Sequence, residues 1–174
     1  MRTSIIKHIE NPIQFKQLLL TWAQQFREVV YLDSNNYPQQ YSSYDCILAV
    51  DAFTSIKTDY HNAFEDLKQY QQITKDWLFG YLAYDLKNDI EVLNSNNFDG
   101  LDFPDLFVFQ PKKLFLLKGN QLEIQYLNMC NDEVEADLEE ISIQYTDLSN
   151  QISEIDIKQR ISKENYLEKV SKIL

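Results

Sequence analysis

Asp76-Trp77-Leu78-Phe79-Gly80-Tyr81-Leu82-Ala83-Tyr84-Asp85-Leu86 is the most informative stretch of the chain. It is a nearly unbroken apolar and aromatic run with polar residues at both ends, Lys75-Asp76 before it and Lys87-Asn88-Asp89 after. Aromatic enrichment over such a length reads as a strand buried on both faces, and so as the centre of a sheet. Gly80, one of only three glycines, points to a bulge or to the close approach of another backbone. Tyr84 and Asp85 place two hydrogen-bonding groups where the strand leaves the core.

Working outward, the segments before this strand alternate between helical and strand periods. Ser4 to Ile9 alternates and reads as an edge strand. Asn11-Pro12 is a helix start, with Asn as N-cap and Pro at the first helical position. Phe15, Leu18, Leu19, Trp22, Ala23 and Phe26 then recur three or four apart on one helical face, up to about Arg27. Glu28 to Leu32 reads as a strand, stopped by the polar turn cluster Asp33 to Pro38. Asp45 to Val50 is a second buried strand, with Ser55 to Thr58 as a short return strand. Asn62 is placed to cap a helix with Phe64, Leu67 and Tyr70 on one face.

Beyond the central stretch, Leu86 to Leu93 suggests one or two helical turns, and Asn94 to Gly100 a loop. Leu106 to Phe109 reads as a strand ended by a turn at Pro111. Lys113 to Leu117 and Gln121 to Leu127 flank Gly119-Asn120, a hairpin signal. Glu133 to Ile143 fits a short acidic helix. Asp147 to Ile157 has no clear period. Ser162 caps a last helix with Tyr166, Leu167, Val170 and Ile173 on one face. That stripe runs to Leu174 without a cap, as in a helix cut in mid-course, and an exposed apolar patch is expected there. The domain expectation is 1–150 as one domain, 151–160 as a linker, and 161–174 as the start of a second domain.

Composition narrows the function. The chain has 174 residues, 44% hydrophobic, and a net charge of −11. That is core enough for one folded domain. The acidity argues against nucleic acid and against an anionic membrane surface, since both need clustered Lys and Arg. The densest acidic run, Asp132 to Glu140, reads as a solvated face. Cys46 and Cys130 stand far apart without metal spacing, so reduced thiols and a cytoplasmic location are expected. No apolar run reaches membrane-spanning length, and no signal pattern opens the chain.

Catalytic signals are sparse. His8 and His61 lack ligand spacing to Cys, Asp or Glu, so no metal site is expected. Three glycines leave no phosphate-cradling loop. Asp45, Asp51 and Asp85 at strand ends are the carboxylates best placed for a raised pKa, although such groups more often cap backbone N–H groups. Ser34 has no nucleophile elbow around it. The residues alone indicate a binding-competent α+β domain without recognisable catalytic machinery.

Several motifs resemble one family. Gly80-Tyr81, Tyr84-Asp85-Leu86 and Pro104-Asp105-Leu106 are similar to the Gly-Tyr-x-x-Tyr-Asp-Leu segment and the Pro-Asp-Leu strand start of aminodeoxychorismate synthase component I. That family, the para-aminobenzoate synthase large subunit, is related to anthranilate synthase component I. Leu32-Asp33-Ser34 resembles its Leu-x-Ser motif, and Tyr41-Ser42-Ser43-Tyr44-Asp45 its Tyr-Ser-Arg-Phe/Tyr-Asp motif. Ile161 to Tyr166 resembles the helix that opens the family's chorismate-utilising domain. The motifs fall in family order over essentially the whole chain.

The resemblance implies an α+β fold of mainly antiparallel β-sheets in a sandwich with flanking helices. It also implies a non-catalytic N-terminal domain. The complete subunit would aminate chorismate to 4-amino-4-deoxychorismate for para-aminobenzoate and folate synthesis. It would use Mg²⁺, ammonia from a glutamine amidotransferase partner, and catalytic residues in its own C-terminal domain, so no catalytic residue is expected in this chain. The alternatives are an anthranilate synthase component I-like subunit, a tryptophan-binding module, or a purely structural domain. In relatives the two loop motifs line a pocket that holds tryptophan, which by motif position implies Ser34, Tyr41, Ser42, Ser43 and Tyr44 as pocket residues. Ser43 stands where the family often has Arg, so one carboxylate partner is lost.

Overall fold

A computed structural model of the chain describes residues 1–35, 37, 41, 43–91, 93, 98, 100–143 and 158–173. Among them, the strand on which the others assemble is β5, Leu106–Lys118, rather than the Trp77–Tyr84 segment. β5 is buried at most of its thirteen positions. It pairs with β3 (Cys46–Thr58), β4 (Phe79–Leu82) and β6 (Gln121–Leu127). With β1 (Arg2–His8) and β2 (Val29–Asp33) at the edges, the order is β1-β6-β5-β3-β2, and β4 lies off this path, paired to β5. Every pairing is antiparallel and all six strands belong to one sheet. The protein is therefore α+β.

The expected central strand is the peripheral one. β4 is four residues long, and Gly80, Tyr81 and Leu82 are exposed. Its aromatic content reflects packing along one neighbour rather than burial on two faces. The close-approach reading of Gly80 is what the structure shows: a methyl there would overlap the Phe107 carbonyl oxygen and sit 2.7 Å from Val108 Cα.

Pro111 does not end a strand; β5 runs through it. It faces Ala52 next to the point where the β3 register slips between Ala52 and Thr54. A residue without an N–H fits beside such a bulge. Arg2 supports the bend, donating to Pro111 O at 2.6 Å and Gln125 O at 3.1 Å. Asp76 holds that guanidinium through Nε at 2.8 and 3.0 Å, and Gln110 Nε2 donates to Asp76 at 2.7 Å. The same bulge joins the two expected strands 45–50 and 55–58 into the single β3. Asp51, at φ 60°, takes the left-handed turn just before the slip and pairs with Lys112 at 3.0 Å.

Helix α1, Pro12–Ala23, starts as its sequence predicts, with the Asn11 side chain accepting from Gln14 N at 3.1 Å. Its Leu18, Leu19, Trp22 and Ala23 pack on Leu48, Val50, Phe115 and Leu117 of the sheet. Val134 and Ile141 of α3, Val134–Ile143, enter the same cluster. α2, Ala63–Thr74, begins differently from expectation. Asn62 holds the cap position but adopts a left-handed conformation and makes no side-chain cap. The carboxylate of Asp89 accepts from Asn62 N at 2.8 Å and Phe64 N at 3.0 Å instead. Leu67 and Tyr70 pack towards Leu106 and Val108, while Phe64 stays exposed.

Residues Tyr84–Asp89 and Asn128–Glu133 are 3-10 turns, the first lying earlier than the expected helix at 86–93. α4, Lys163–Ser171, is capped by Ser162 Oγ, and Tyr166, Leu167 and Ile173 on its apolar stripe are exposed. The Asp147–Ile157 linker, Leu174, and Asn36 and Pro38 of the turn cluster lie outside the described residues, as does most of the 94–100 loop.

Candidate functional site

Alternation along the strands sends Leu48, Val50, Phe115 and Leu117 towards α1. It sends Ile47, Ala49, Leu114 and Leu116 to the opposite face, where Val30 and Tyr44 join them. Phe79, Phe107 and Phe109 belong to this second cluster. Leu106 and Val108, alternate to them, pack against α2. α1 and α3 thus share one face of the sheet, α2 packs at the Leu106–Val108 end of β5, and an aromatic and aliphatic band occupies the face opposite α1 and α3.

A cavity of about 520 Å³ opens on the face opposite α1 and α3. One wall is the loop before β3, with Tyr41, Ser43 and Tyr44; the other is the β5–β6 hairpin, with Leu116, Lys118, Gln121 and Glu123. Lys118 lies directly opposite Gln121, and Leu116 opposite Glu123. Three of the five residues implied by motif position therefore come together. Ser34 is not in the lining, and Ser42 lies outside the described residues.

Ser34 works through its backbone. Its N–H donates to Asp45 O at 2.9 Å and its carbonyl accepts from Tyr37 N at 2.9 Å, closing the neck of the loop. The middle residue of that motif, Asp33, carries the side-chain network. It accepts from Lys16 at 3.0 Å, Tyr31 at 3.1 Å and Asn35 N at 2.7 Å. Burial alone would raise the Asp33 carboxyl, but these donors outweigh it and hold the group below the usual range. Burial, the bond to Cys46 and the Asp33 charge push the Tyr31 phenol well up. Burial likewise raises the Cys46 thiol. Neither supplies a nucleophile at neutral pH.

The strand-end carboxylates are engaged in structure. Asp45 Oδ2 accepts from Gly119 N at 2.6 Å, tying the loop to the hairpin turn. Asp51 pairs with Lys112, and Asp85 with Lys87 at 2.6 Å. Among the described residues no group of His, Cys, Asp and Glu is arranged to hold a metal ion. No described helix is long and apolar enough to cross a membrane.

One charged cluster was invisible to sequence reasoning. Lys113 is 5% exposed, with Nζ 2.6 Å from Asp137 and 2.7 Å from Glu133. It lies under the rings of Trp22, Phe26 and Tyr126. Tyr126 Oη also donates to Asp137 at 2.7 Å. Burial would lower the Lys113 pKa, yet the two carboxylates raise it above the ordinary lysine value. Every member is satisfied, and the cluster fastens α3 to the sheet.

The cavity can bind, through aromatic walls and charged groups, but among its described lining residues no base stands next to a nucleophile. Leu116, Lys118, Gln121 and Glu123 were missed by motif reading. The signal was present in the hairpin pattern around Gly119-Asn120, which puts these four on one face. Neither known protein-family models nor curated proteins give a match to this chain.

Proposed function

We propose that this chain is the non-catalytic N-terminal domain of an aminodeoxychorismate synthase component I. The complete subunit would aminate chorismate to 4-amino-4-deoxychorismate, with Mg²⁺ and ammonia from a glutamine amidotransferase partner. The observation that carries the reading is the coincidence of motif and cavity. Tyr41, Ser43 and Tyr44, from the segment that resembles the family's pocket motif, border a cavity on the face opposite α1 and α3. The finer fold expectation follows: the open face of this sheet forms one layer of a sandwich whose other layer comes from the C-terminal domain. The exposed stripe on α4 is consistent with a covering partner.

The test is genetic. Expressed in a bacterium lacking para-aminobenzoate synthase component I, the complete subunit restores growth without para-aminobenzoate. The same subunit lacking residues 1–143 does not. Failure of the complete, soluble subunit to restore growth overturns the assignment.

A further inference from the structure

One edge of the sheet is open in a form that complements itself. β2 ends the strand order, with β3 on one side and no strand on the other among the described residues. Ser34 N donates to Asp45 O at 2.9 Å, and Asp51 N to Glu28 O at 3.2 Å. In an antiparallel pair, residues whose backbone groups face the partner alternate with residues whose groups face away. Glu28, Val30, Leu32 and Ser34 therefore turn to β3, while Val29, Tyr31 and Asp33 turn outward. The outward residues are symmetric about Tyr31, the middle of the strand.

The side chains around this edge suit an interior strand. Val29-Val30-Tyr31-Leu32 carries no charge and no proline, the usual protections of an edge. β1, at the other end of the strand order, carries Lys7, paired to Glu135. Exposed apolar groups border β2 on both faces. Ile13 and Leu20 of α1 are exposed and line a cleft of about 290 Å³ with Lys16, Tyr31 and Asp33. Leu32 alternates with Tyr31 and is exposed on the opposite face, next to Val30. The charges nearby are already matched, Asp33 with Lys16 at 3.0 Å and Glu28 with Arg27 at 3.5 Å. Two chains of net charge −11 therefore meet here without bringing unpaired acids together.

We propose that β2 pairs antiparallel with β2 of a second copy of the chain, about a two-fold axis through Tyr31. Tyr31 then faces Tyr31, Val29 faces Asp33 of the second copy, and every outward backbone N–H and C=O of the strand finds a partner. Any other register leaves an outward residue of β2 unmatched within the strand. On the face opposite α1, Val30 packs across from Leu32 of the second copy, and the two Leu32 side chains become diagonal neighbours. On the α1 face, Val29 of the second copy lies beside Asp33 at the mouth of the cleft. The pairing depends on the sheet edge alone and not on the proposed function.

Sedimentation equilibrium of the 174-residue chain, at concentrations up to about 1 mM, tests it. The parent reaches the mass of two chains. Leu32→Lys and Leu32→Glu each halve that mass, because like charges then meet on the diagonal. An equimolar mixture of these two variants recovers the two-chain mass, as only the register through Tyr31 brings position 32 close to its own copy. Val29→Pro also halves the mass, since it removes an outward N–H at the first position of the strand and no bond to β3. Leu167→Lys, on the exposed stripe of α4, keeps the two-chain mass. Parent-like far-ultraviolet circular dichroism shows that each variant is folded. A parent chain that stays monomeric at about 1 mM overturns the proposal. So does a two-chain mass that survives Val29→Pro or either Leu32 variant, or a mixture that stays monomeric. Loss of the dimer in Leu167→Lys overturns it too, by moving the contact to α4.

Discussion

Replacing Lys113 by methionine removes the cation from the only buried ion cluster among the described residues. The substitution keeps most of the side-chain volume, so the loss is electrostatic rather than a cavity. Asp137 is 8% exposed and loses a partner at 2.6 Å, keeping only the Tyr126 hydroxyl. Glu133 is half exposed and recovers water in place of its 2.7 Å contact. Leaving one buried charge without its partner costs about 3–5 kcal/mol. The surviving bond from Tyr126 sets the expectation at the lower end, about 3 kcal/mol. For a chain of this length that lowers the thermal midpoint by about 6–12 °C. Urea denaturation followed by the fluorescence of Trp22, which lies beside the cluster, measures the loss. The double variant Lys113→Met/Asp137→Leu removes the stranded charge as well and recovers most of the stability. A single variant within about 0.5 kcal/mol of the parent would refute the reasoning, since that is the range of surface substitutions. So would a double variant less stable than the single.

The backbone and the acid limb supply three further expectations. Gly80→Ala overlaps the Phe107 carbonyl and costs about 1–3 kcal/mol or more, whereas Gly119→Ala, at φ 56° with open space around it, costs only about 1 kcal/mol; paired urea titrations compare them, and equal losses would contradict the close-approach account. Asp89→Ala strips the cap from α2 and costs about 1 kcal/mol, with amide exchange accelerated first at Asn62 and Phe64; unchanged exchange there would assign the cap elsewhere. Burial would raise the Asp76 carboxyl, but Arg2 and Gln110 hold it below the usual aspartate range. A carboxyl with a depressed folded pKa contributes stability that is present above its ordinary value near 3.8 and lost as pH falls through the folded pKa. Asp76→Asn should therefore flatten the loss of stability below about pH 4 and lower stability at neutral pH; parallel pH–stability curves for parent and variant would count against it.

How far the fold was legible in the sequence depended on whether burial left a simple period. β1, α1 and the β5–β6 hairpin could be read because one face of each is buried and a cap or turn residue marks its end. The centre of the sheet could not. β5 contains Gln110-Pro111-Lys112-Lys113, which reads as a break, yet Arg2 from the far end of the chain satisfies Pro111 O and acids 20 and 24 residues on neutralise Lys113. β4 misled in the other direction, because only Phe79 enters a core cluster while the exposed Tyr81 lies tilted against Phe103 and Phe107. The α2 cap failed for a similar reason: the Asp89 carboxylate comes from 25 residues away and displaces the local Asn62. At the cavity, the loop wall was visible as a motif and the hairpin wall as an alternation. Their meeting depends on Asp45 reaching Gly119, a contact no local pattern encodes.

The central claim is that the chain belongs to a subunit that aminates chorismate. Incubating the purified complete subunit with chorismate, ammonium and Mg²⁺ and identifying the product by mass and chromatography tests it most directly. The account predicts 4-amino-4-deoxychorismate, formed without pyruvate release. Anthranilate with pyruvate would move the chain to the sister branch, and chorismate left unconsumed by a folded, soluble subunit would contradict the account.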